Sequence, residues 1–508
     1  VKTRIVVRKD SYHDSVLLMR LSRELKARTG AEEAVVVMGT PANRDLLAGI
    51  GFSKDELAGA GPNDLVIALR GLEGRTEELE ATLDALLSAD AGPRETESRP
   101  PTLAAAVSAH PESNLVLISV PGEYAAREAR RALGLGRHVM LFSDNVAVED
   151  EIALKEEAAG KGLLMMGPDC GTAIVNGKPL GFANVVRRGS IGIVGASGTG
   201  IQEVSSAIHR LKGGVSQAVG TGGRDLSDAV GGRMTLLGIE ALAADPETKV
   251  LVVISKPPSV AVAKRVVAAL ERAGKPAVVH FVGAEPEAAK GEIVFADTLA
   301  GAAEAACRAA GVENVHPGVQ GSVRPKAASL AARLAPGSLL RGLFCGGTTA
   351  VEALVILERA GITVRSNLHR GPAWVEGEST DDHVLLDLGD DVFTRGRPHP
   401  MIEPELRNER LLHEVADPRV GLLLFDVILG YGSHPDPAGV LVDGLERARA
   451  ASGRELVAVA SVTGTLDDPQ DYLRQTGTLV DAGVAVNLDN RTAAWMTAAI
   501  LKGGGDDE

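Results

Sequence analysis

The sequence predicts an α/β protein made of Rossmann/flavodoxin-like parallel-sheet domains, on three observations. Short apolar runs of strand type alternate with segments of helical period along nearly the whole chain, the pattern of βαβ units. Glycine-rich turns follow several of these runs directly, where doubly wound sheets bind ligands. A length of 508 residues exceeds what one hydrophobic core supports, so three such domains are expected.

The first domain is expected over residues 1–166. It opens with a strand at 4–7 and an amphipathic helix from about Val16. Strands follow at Ala34–Val37 (ending in M-G-T-P-A-N), Asn63–Leu69, Asn114–Val120 and His138–Phe142, with helices such as Glu123–Leu133 between them. Between Ala89 and Pro111 the pattern lapses into A-D-A-G-P-R-E-T-E-S-R-P-P, which reads as an exposed excursion. Leu163–Met166 leads into Gly167-Pro168-Asp169-Cys170-Gly171, where the first boundary falls. The second domain, 167–312, has strands at Ile191–Val194, Ser216–Val219, Val250–Ile254, Ala277–His280 and Ile293–Phe295. Residues 313–336 are proline-rich and basic and read as a linker. The third domain, 337–502, has strands at Leu340–Phe344, Val384–Leu388, Val420–Leu424, Leu456–Val462 and Val484–Asn487, and the tail Gly503–Glu508 is expected to fray.

Composition narrows the function classes. Hydrophobic residues at 45% and charged residues at 24% mark a globular chain. Aromatics at 3% leave little to stack on bases, and a net charge of −14 argues against nucleic-acid and membrane partners while leaving small anionic substrates open. The three cysteines, Cys170, Cys307 and Cys345, make no metal-ligand spacing, and an odd count without a framework suggests a reducing cytoplasm. No apolar run approaches the ~18 residues of a membrane span, and V-K-T-R-I-V-V-R at the start reads as a strand rather than a signal peptide, so a cytoplasmic location is expected.

Four turns are the main candidates for chemistry, and two further ones, Asp426–Gly432 with Ser433-His434-Pro435 and Ser461-Val462-Thr463-Gly464-Thr465, lie at the same end of the third sheet. In I-G-I-V-G-A-S-G-T-G-I-Q-E (Ile191–Glu203) a strand passes through a small-residue turn into a helix. That arrangement collects bare N–H groups and the positive end of a helix dipole, making Ser197, Gly198, Thr199 and Gly200 phosphate-binding candidates. The alternative is that these glycines only allow close packing. Val219-Gly220-Thr221-Gly222-Gly223-Arg224-Asp225 adds Gly222 and Gly223 as donors and Arg224 as a cation suited to phosphate or carboxylate. In the turn from Phe344 to Glu352, Gly346, Gly347, Thr348 and Thr349 either cap a helix or hold an anion. The fourth turn, Leu386 to Pro400, concentrates Asp387, Gly389, Asp390, Asp391, Arg395, Arg397 and His399. Its carboxylates suit Mg²⁺ and its arginines suit an anion, and a solvated loop with internal ion pairs is the alternative. Asp169 is a further substrate-binding candidate. His138, His209 and His280 read as structural and Cys170 as a buried thiol. The chain has no Walker loop, nucleophile elbow or metal-binding histidine motif.

These strings together resemble the FdrA family, built like the α subunit of succinyl-CoA synthetase with the carboxyl-terminal domain of its β subunit appended and no ATP-grasp domain. Gly167-Pro168-Asp169-Cys170 resembles the α subunit's G-P-N-C. Gly192-Ile193-Val194 through Ser197-Gly198-Thr199 resembles its G-I-V-S-R-S-G-T, and Val219–Gly223 its V-G-I-G-G. Gly346-Gly347-Thr348 and Leu386–Gly389 resemble the β subunit's G-x-G and L-D-V-G-G. M-G-T-P-A-N, F-S-D-N-V, G-G-R-D-L-S, L-G-D-D and G-R-P-H-P extend the likeness over nearly the whole chain. In the parent synthetases two helix N-termini face a phosphohistidine. The histidine segment falls near Phe281–Glu285, which has none; the supporting glutamate falls at Ser255-Lys256-Pro257-Pro258; and the CoA glycine loop falls near Arg8–Ser15, which has no glycine.

The resemblance implies a CoA-binding-like first domain, a synthetase-like second domain and a CoA-ligase-like third. It further implies a subunit of an oxamate carbamoyltransferase-like complex of purine-ureide nitrogen catabolism, binding carbamoyl phosphate at Ser197, Gly198, Thr199, Gly346, Gly347 and Thr348, with Arg224, Arg397 and His399 orienting the substrate. The rival implications are an acyl-CoA synthetase and a non-catalytic scaffold. Partner subunits and a homo-oligomer are expected by family analogy, with CoA and Mg²⁺ as candidate cofactors.

Overall fold

A computed structural model describes residues 3–71 except 12 and 14, and residues 100–503 except 319, 369, 378–380 and 395–396. The chain divides into two compact units: Val1–Arg99 with Arg395–Pro398, and Pro100–Thr394 with His399–Glu508.

In the first unit, strands β1 (Thr3–Arg8), β2 (Glu33–Met38) and β3 (Leu65–Arg70) form a sheet ordered β1-β3-β2. Both pairings are antiparallel, which corrects the expectation of a parallel sheet for these strands. β1 and β2 still run parallel to each other, as a helical crossover requires, but β3 inserts between them in the opposite direction. Its run Leu65–Leu69 is apolar throughout because both faces are covered. Leu18, Leu21 and Leu25 of the helix Ser15–Thr29 pack with Leu65, Ile67 and Leu69, while Leu47, Phe52 and Leu57 pack with Val66 and Ala68. Of the expected excursion, residues 89–99 lie outside the described residues. The remainder contains a helix, Leu103–Ala109, whose first turn is capped by the Thr102 hydroxyl accepting from Ala105 N–H at 3.2 Å.

Among the described residues the second unit holds three sheets. β4 (Leu115–Ile118), β5 (His138–Leu141) and β6 (Met165–Met166) are parallel. The seven-stranded sheet comprises β7 (Thr172–Val175), β8 (Lys178–Gly181), β9 (Arg188–Ala196), β10 (Val215–Gly220), β11 (Val250–Ser255), β12 (Ala277–Phe281) and β13 (Ile293–Phe295), in the order β13-β12-β11-β9-β10-β7-β8. β9 to β13 are parallel, and the β7–β8 hairpin is added antiparallel at the β10 edge. The six-stranded sheet comprises β14 (Leu339–Phe344), β15 (Val364–Arg365), β16 (His383–Asp387), β17 (Val420–Ile428), β18 (Val457–Thr463) and β19 (Ala485–Asn487). It is parallel throughout, in the order β15-β16-β14-β17-β18-β19. β17 is buried along its whole length, as a central strand covered by helices on both faces must be. The expected linker is partly structured: the helix Arg324–Ala331 buries Ala327 and Leu330 against Leu340, Phe344 and Leu422, so it belongs to the third sheet's core.

Buried polar contacts fix these parts to one another. Lys155, fully buried on the helix Val148–Gly160, binds Glu151 at 2.8 Å, Asp225 at 2.9 Å and the Thr221 carbonyl at 2.9 Å, joining the β4–β6 layer to the turn after β10. Asp468 accepts from Asn184 Nδ2 and Val185 N–H, both at 2.8 Å, and Arg210 donates to the Gly464 carbonyl at 2.9 Å, joining the second and third sheets' layers. Among the described residues no helix is long and apolar enough to cross a membrane.

Candidate functional site

β9 and β14 each end in a small-residue turn and start a helix, Gly198–Arg210 and Gly347–Arg359. The two helix N-termini meet. Ser197, N-cap of the first, accepts from Gly200 N–H at 3.1 Å, and its hydroxyl lies 2.5 Å from that of Thr348 in the first turn of the second. A Cβ at Gly346 would lie 3.0 Å from Thr199 Cγ2, so the absence of a side chain there permits the approach. The first-turn N–H groups of Gly198, Thr199, Gly347 and Thr348 have no intrahelical acceptor, and no other hydrogen bond to them forms among the described residues. Two positive helix ends thus converge on one point.

The protein's own carboxylates answer part of that field. Asp426, fully buried at the end of β17, accepts from Cys345 N–H at 2.7 Å and Gly346 N–H at 2.9 Å, with Thr349 Oγ1 2.8 Å away. Burial raises its pKa against the pull of these donors and of Arg407. Gly346 N–H and the Thr349 hydroxyl are therefore engaged internally, a correction to their expected role as phosphate ligands. Asp387, at the end of β16, sits where a Cβ on Gly347 would lie 2.5 Å from its Oδ2, and its Oδ1 accepts from Gly389 N–H at 2.9 Å. Burial pushes its pKa up to about 7, opposed by that hydrogen bond and the charge of Lys256 and assisted by Asp426 and Asp390. A carboxyl that exchanges its proton near neutrality beside a helix end is equipped for general acid–base work.

His399 faces the same place: a Cβ on Gly389 would lie 2.5 Å from its Nε2. Met401 N–H donates to its Nδ1 at 3.2 Å, and Phe182 lies against the ring at 5.9 Å between centroids. Burial lowers its pKa to about 4, so the ring is neutral at pH 7, and with Nδ1 accepting, the proton sits on Nε2. His399 is thereby a neutral hydrogen-bond donor rather than a base or phosphoryl acceptor. Asp169, in the loop after β6, has its pKa raised to about 6 by desolvation and by Asp144 and Asp391, against the charges of Lys256 and Arg224.

The other expected residues sit differently. Arg224 is held by Glu151 at 2.9 Å and donates to the Val146 carbonyl at 2.8 Å, leaving the guanidinium half-exposed. Gly222 has φ +85° and its Cβ would lie 2.2 Å from the Pro168 carbonyl, while a Cβ on Gly223 would lie 3.3 Å from Asp169 Oδ2. This turn therefore packs on the Gly167–Cys170 loop, with close packing as its visible role. Asp390 caps the short helix Asp391–Thr394, its Oδ1 accepting from Val392 N–H at 3.0 Å, and Asp391 is exposed. Arg397 is exposed and groups with the first unit, so it is not assigned to this cleft; Arg395 lies outside the described residues. No group of three or more His, Cys, Asp or Glu among the described residues is arranged to hold a metal ion. His138 and His209 accept backbone N–H groups through Nδ1, His280 Nδ1 lies 2.9 Å from the Ala296 carbonyl, and burial pushes the Cys170 thiol up to about 12.

Sequence reasoning placed Asp426 at the start of a candidate turn but missed its role in holding Cys345 and Gly346, gave no role to Lys256, and missed the β7–β8 hairpin that presents Thr172 and Phe182. The hairpin had a signal in Asn176-Gly177, both at positive φ in the turn. Asp426 had one as a lone carboxylate inside an apolar strand run.

Three family models match the chain: CoA-ligase over residues 343–500, CoA binding domain over 186–283, and AllF, heavy metal-associated domain, over 1–101. Residues 1–101 contain no cysteine, so no thiolate ligand for a soft metal is available there. Glycine turns at the carboxyl ends of parallel strands, lying within the first two of these spans, define a CoA-ligase-related α/β protein. The protein YahF of Escherichia coli K12 is 45% identical over 494 residues, covering 95% of this chain and 96% of its own. The chain belongs to that FdrA-type, succinyl-CoA synthetase-like family. The mitochondrial succinate–CoA ligase [ADP-forming] subunit alpha-2 of Trichomonas vaginalis is 31% identical over 148 residues, 28% of this chain and 46% of that subunit, so the likeness spans about half of the relative. Among solved structures, the dinucleotide-forming acetyl-coenzyme A synthetase 1 of Ca. Korarchaeum cryptofilum (apo form) is 16% identical over 77% of this chain and 84% of its own, with a TM-score of 0.29.

Proposed function

We propose that the chain is a ligase-like subunit that binds a carboxylic–phosphoric mixed anhydride at the facing helix ends and passes its acyl group to a thiol of the CoA type. The observation that carries this reading is the meeting of two helix N-termini, with Gly198, Thr199, Gly347 and Thr348 N–H groups free to receive phosphate oxygens. The thiol sulfur attacks the carbonyl carbon, the carbon–oxygen bond to phosphate breaks, and phosphate departs with the electron pair. The N–H donors meet the charge that develops on it. Asp387, with a pKa near 7, takes the thiol proton, and the His399 Nε2–H is placed to donate to an oxygen of the substrate. The CoA-ligase and CoA-binding matches and the succinate–CoA ligase relatives support the acyl-CoA side of this reading. We further propose that a partner subunit completes the acceptor site.

Carbamoyl phosphate is chemically such an anhydride, but the relatives give no support to carbamoyl transfer to oxamate, and it enters as one arm of the test. Titration calorimetry with inorganic phosphate, acetyl phosphate, carbamoyl phosphate and CoA, followed by phosphate release with CoA or oxamate as acceptor, distinguishes the cases. Competition of phosphate with acetyl phosphate for one site, together with thioester formation from CoA, is expected. No affinity for phosphate or either anhydride at millimolar concentration would refute the reading, and phosphate release with oxamate alone would replace the acyl-CoA acceptor with the carbamoyl one.

A further inference from the structure

We infer that Lys256 is the cation that seats the substrate's phosphate between the two helix ends, an inference that rests on the reading just given. The position is set by the sheet. In the β9–β11 register Ser255 pairs with Ala196, so Lys256 and Ser197 are the next residues along, side by side past the carboxyl edge. Pro257 and Pro258 follow at once and Ser259 caps the next helix, its hydroxyl accepting from Val262 N–H at 3.3 Å. Two prolines between a strand end and a helix cap fix φ twice and remove two N–H groups, so the lysine stands on a stiff pedestal.

The side chain is exposed and, among the described residues, makes no hydrogen bond or ion pair, whereas Arg224 and Arg407 are both held by protein acceptors. Its charge nevertheless reaches both Asp169, from the loop after β6, and Asp387, from the end of β16. Lys256 is thus within electrostatic reach of carboxylates from two different layers, among the described residues it is paired to neither, and its backbone stands next to Ser197, the cap of the first helix. A lysine built to neutralise those acids would contact one of them.

The test uses the full chain, inorganic phosphate as the probe, and the variants Lys256→Met and Lys256→Arg. A lost charge-assisted contact weakens phosphate binding by about ten- to a hundredfold, so K256M is expected to lose at least tenfold in affinity and to lose most of its dependence on ionic strength. K256R is expected to stay within about threefold of the parent. Because Lys256 has no hydrogen-bond or ion-pair partner among the described residues, both variants should keep the parent's urea midpoint. Unchanged phosphate affinity in K256M would overturn the assignment while leaving the proposed function standing. Absence of phosphate binding in the parent would overturn both.

Discussion

Glu352 offers the sharpest quantitative test of the packing behind the cleft. It is fully buried on the Gly347 helix, where its Oε1 accepts from Leu299 N–H at 2.6 Å and its Oε2 from Asn490 Nδ2 at 2.7 Å. Burial is the largest influence and, with the negative charge of Glu203 and Asp489, lifts its pKa from 4.5 to about 7 against these two donors. The folded protein thus holds the proton more tightly than the unfolded chain. Below pH 4.5 both states are protonated and the group's contribution to stability is fully present. Between 4.5 and about 7 the unfolded chain ionises first and stability falls as pH rises. Above 7 the loss is complete, roughly 3 kcal/mol at ~1.4 kcal/mol per pH unit. Glu352→Gln removes this titration. The amide oxygen replaces Oε1 toward Leu299, and the new NH₂ meets the Asn490 amide, whose Oδ1 has no partner and can accept it after a flip. The Asn490 bond to the Thr349 carbonyl is then lost, a pH-independent cost of about 1 kcal/mol. Urea unfolding of both proteins from pH 4.5 to 8.5, followed by the fluorescence of Trp374 and Trp495, should show the parent gaining about 1 kcal/mol over the variant at the acid end. At the alkaline end the variant should lead by about 2 kcal/mol. A difference that stays constant within ~0.5 kcal/mol across the range would refute the account of Glu352 as a carboxyl protonated in the fold at neutral pH.

Lys155→Met should destabilise the protein by about 3–5 kcal/mol, because Glu151 and Asp225 are left buried without their cation; a urea midpoint within error of the parent would contradict this. Gly222→Ala places a Cβ 2.2 Å from the Pro168 carbonyl at φ +85°, and a loss of at least ~2 kcal/mol is expected by the same measurement.

How far the sequence disclosed this molecule depends on what each residue pattern encodes. Parallel strands such as Val250–Ser255 and Val420–Ile428 were readable because runs buried on both faces carry unbroken Val, Ile and Leu, and the glycine turns after β9 and β14 were readable because backbone must approach backbone there. Strand direction was not: periodicity says which face is buried but not which way a neighbour runs, so the antiparallel insertion of β3 left no mark in its own residues. Charged residues on helices normally face water, which hid Lys155, Glu203 and Glu352; each is buried because its partner comes from a segment tens to hundreds of residues away. Thr349 carries the same lesson at the site. A hydroxyl in a helix's first turn looks like a ligand donor until the strand bringing Asp426 is in place.

Asp426 also bears on the life of the protein before it meets a substrate. By filling the N–H cradle of Cys345 and Gly346 with a carboxylate from its own chain, the third layer completes this helix start during folding rather than during catalysis. Maturation then needs no ligand as a template, and a substrate arriving later finds a socket already set rather than one that it must assemble. Its binding should stabilise the fold only by mass action, in proportion to occupancy.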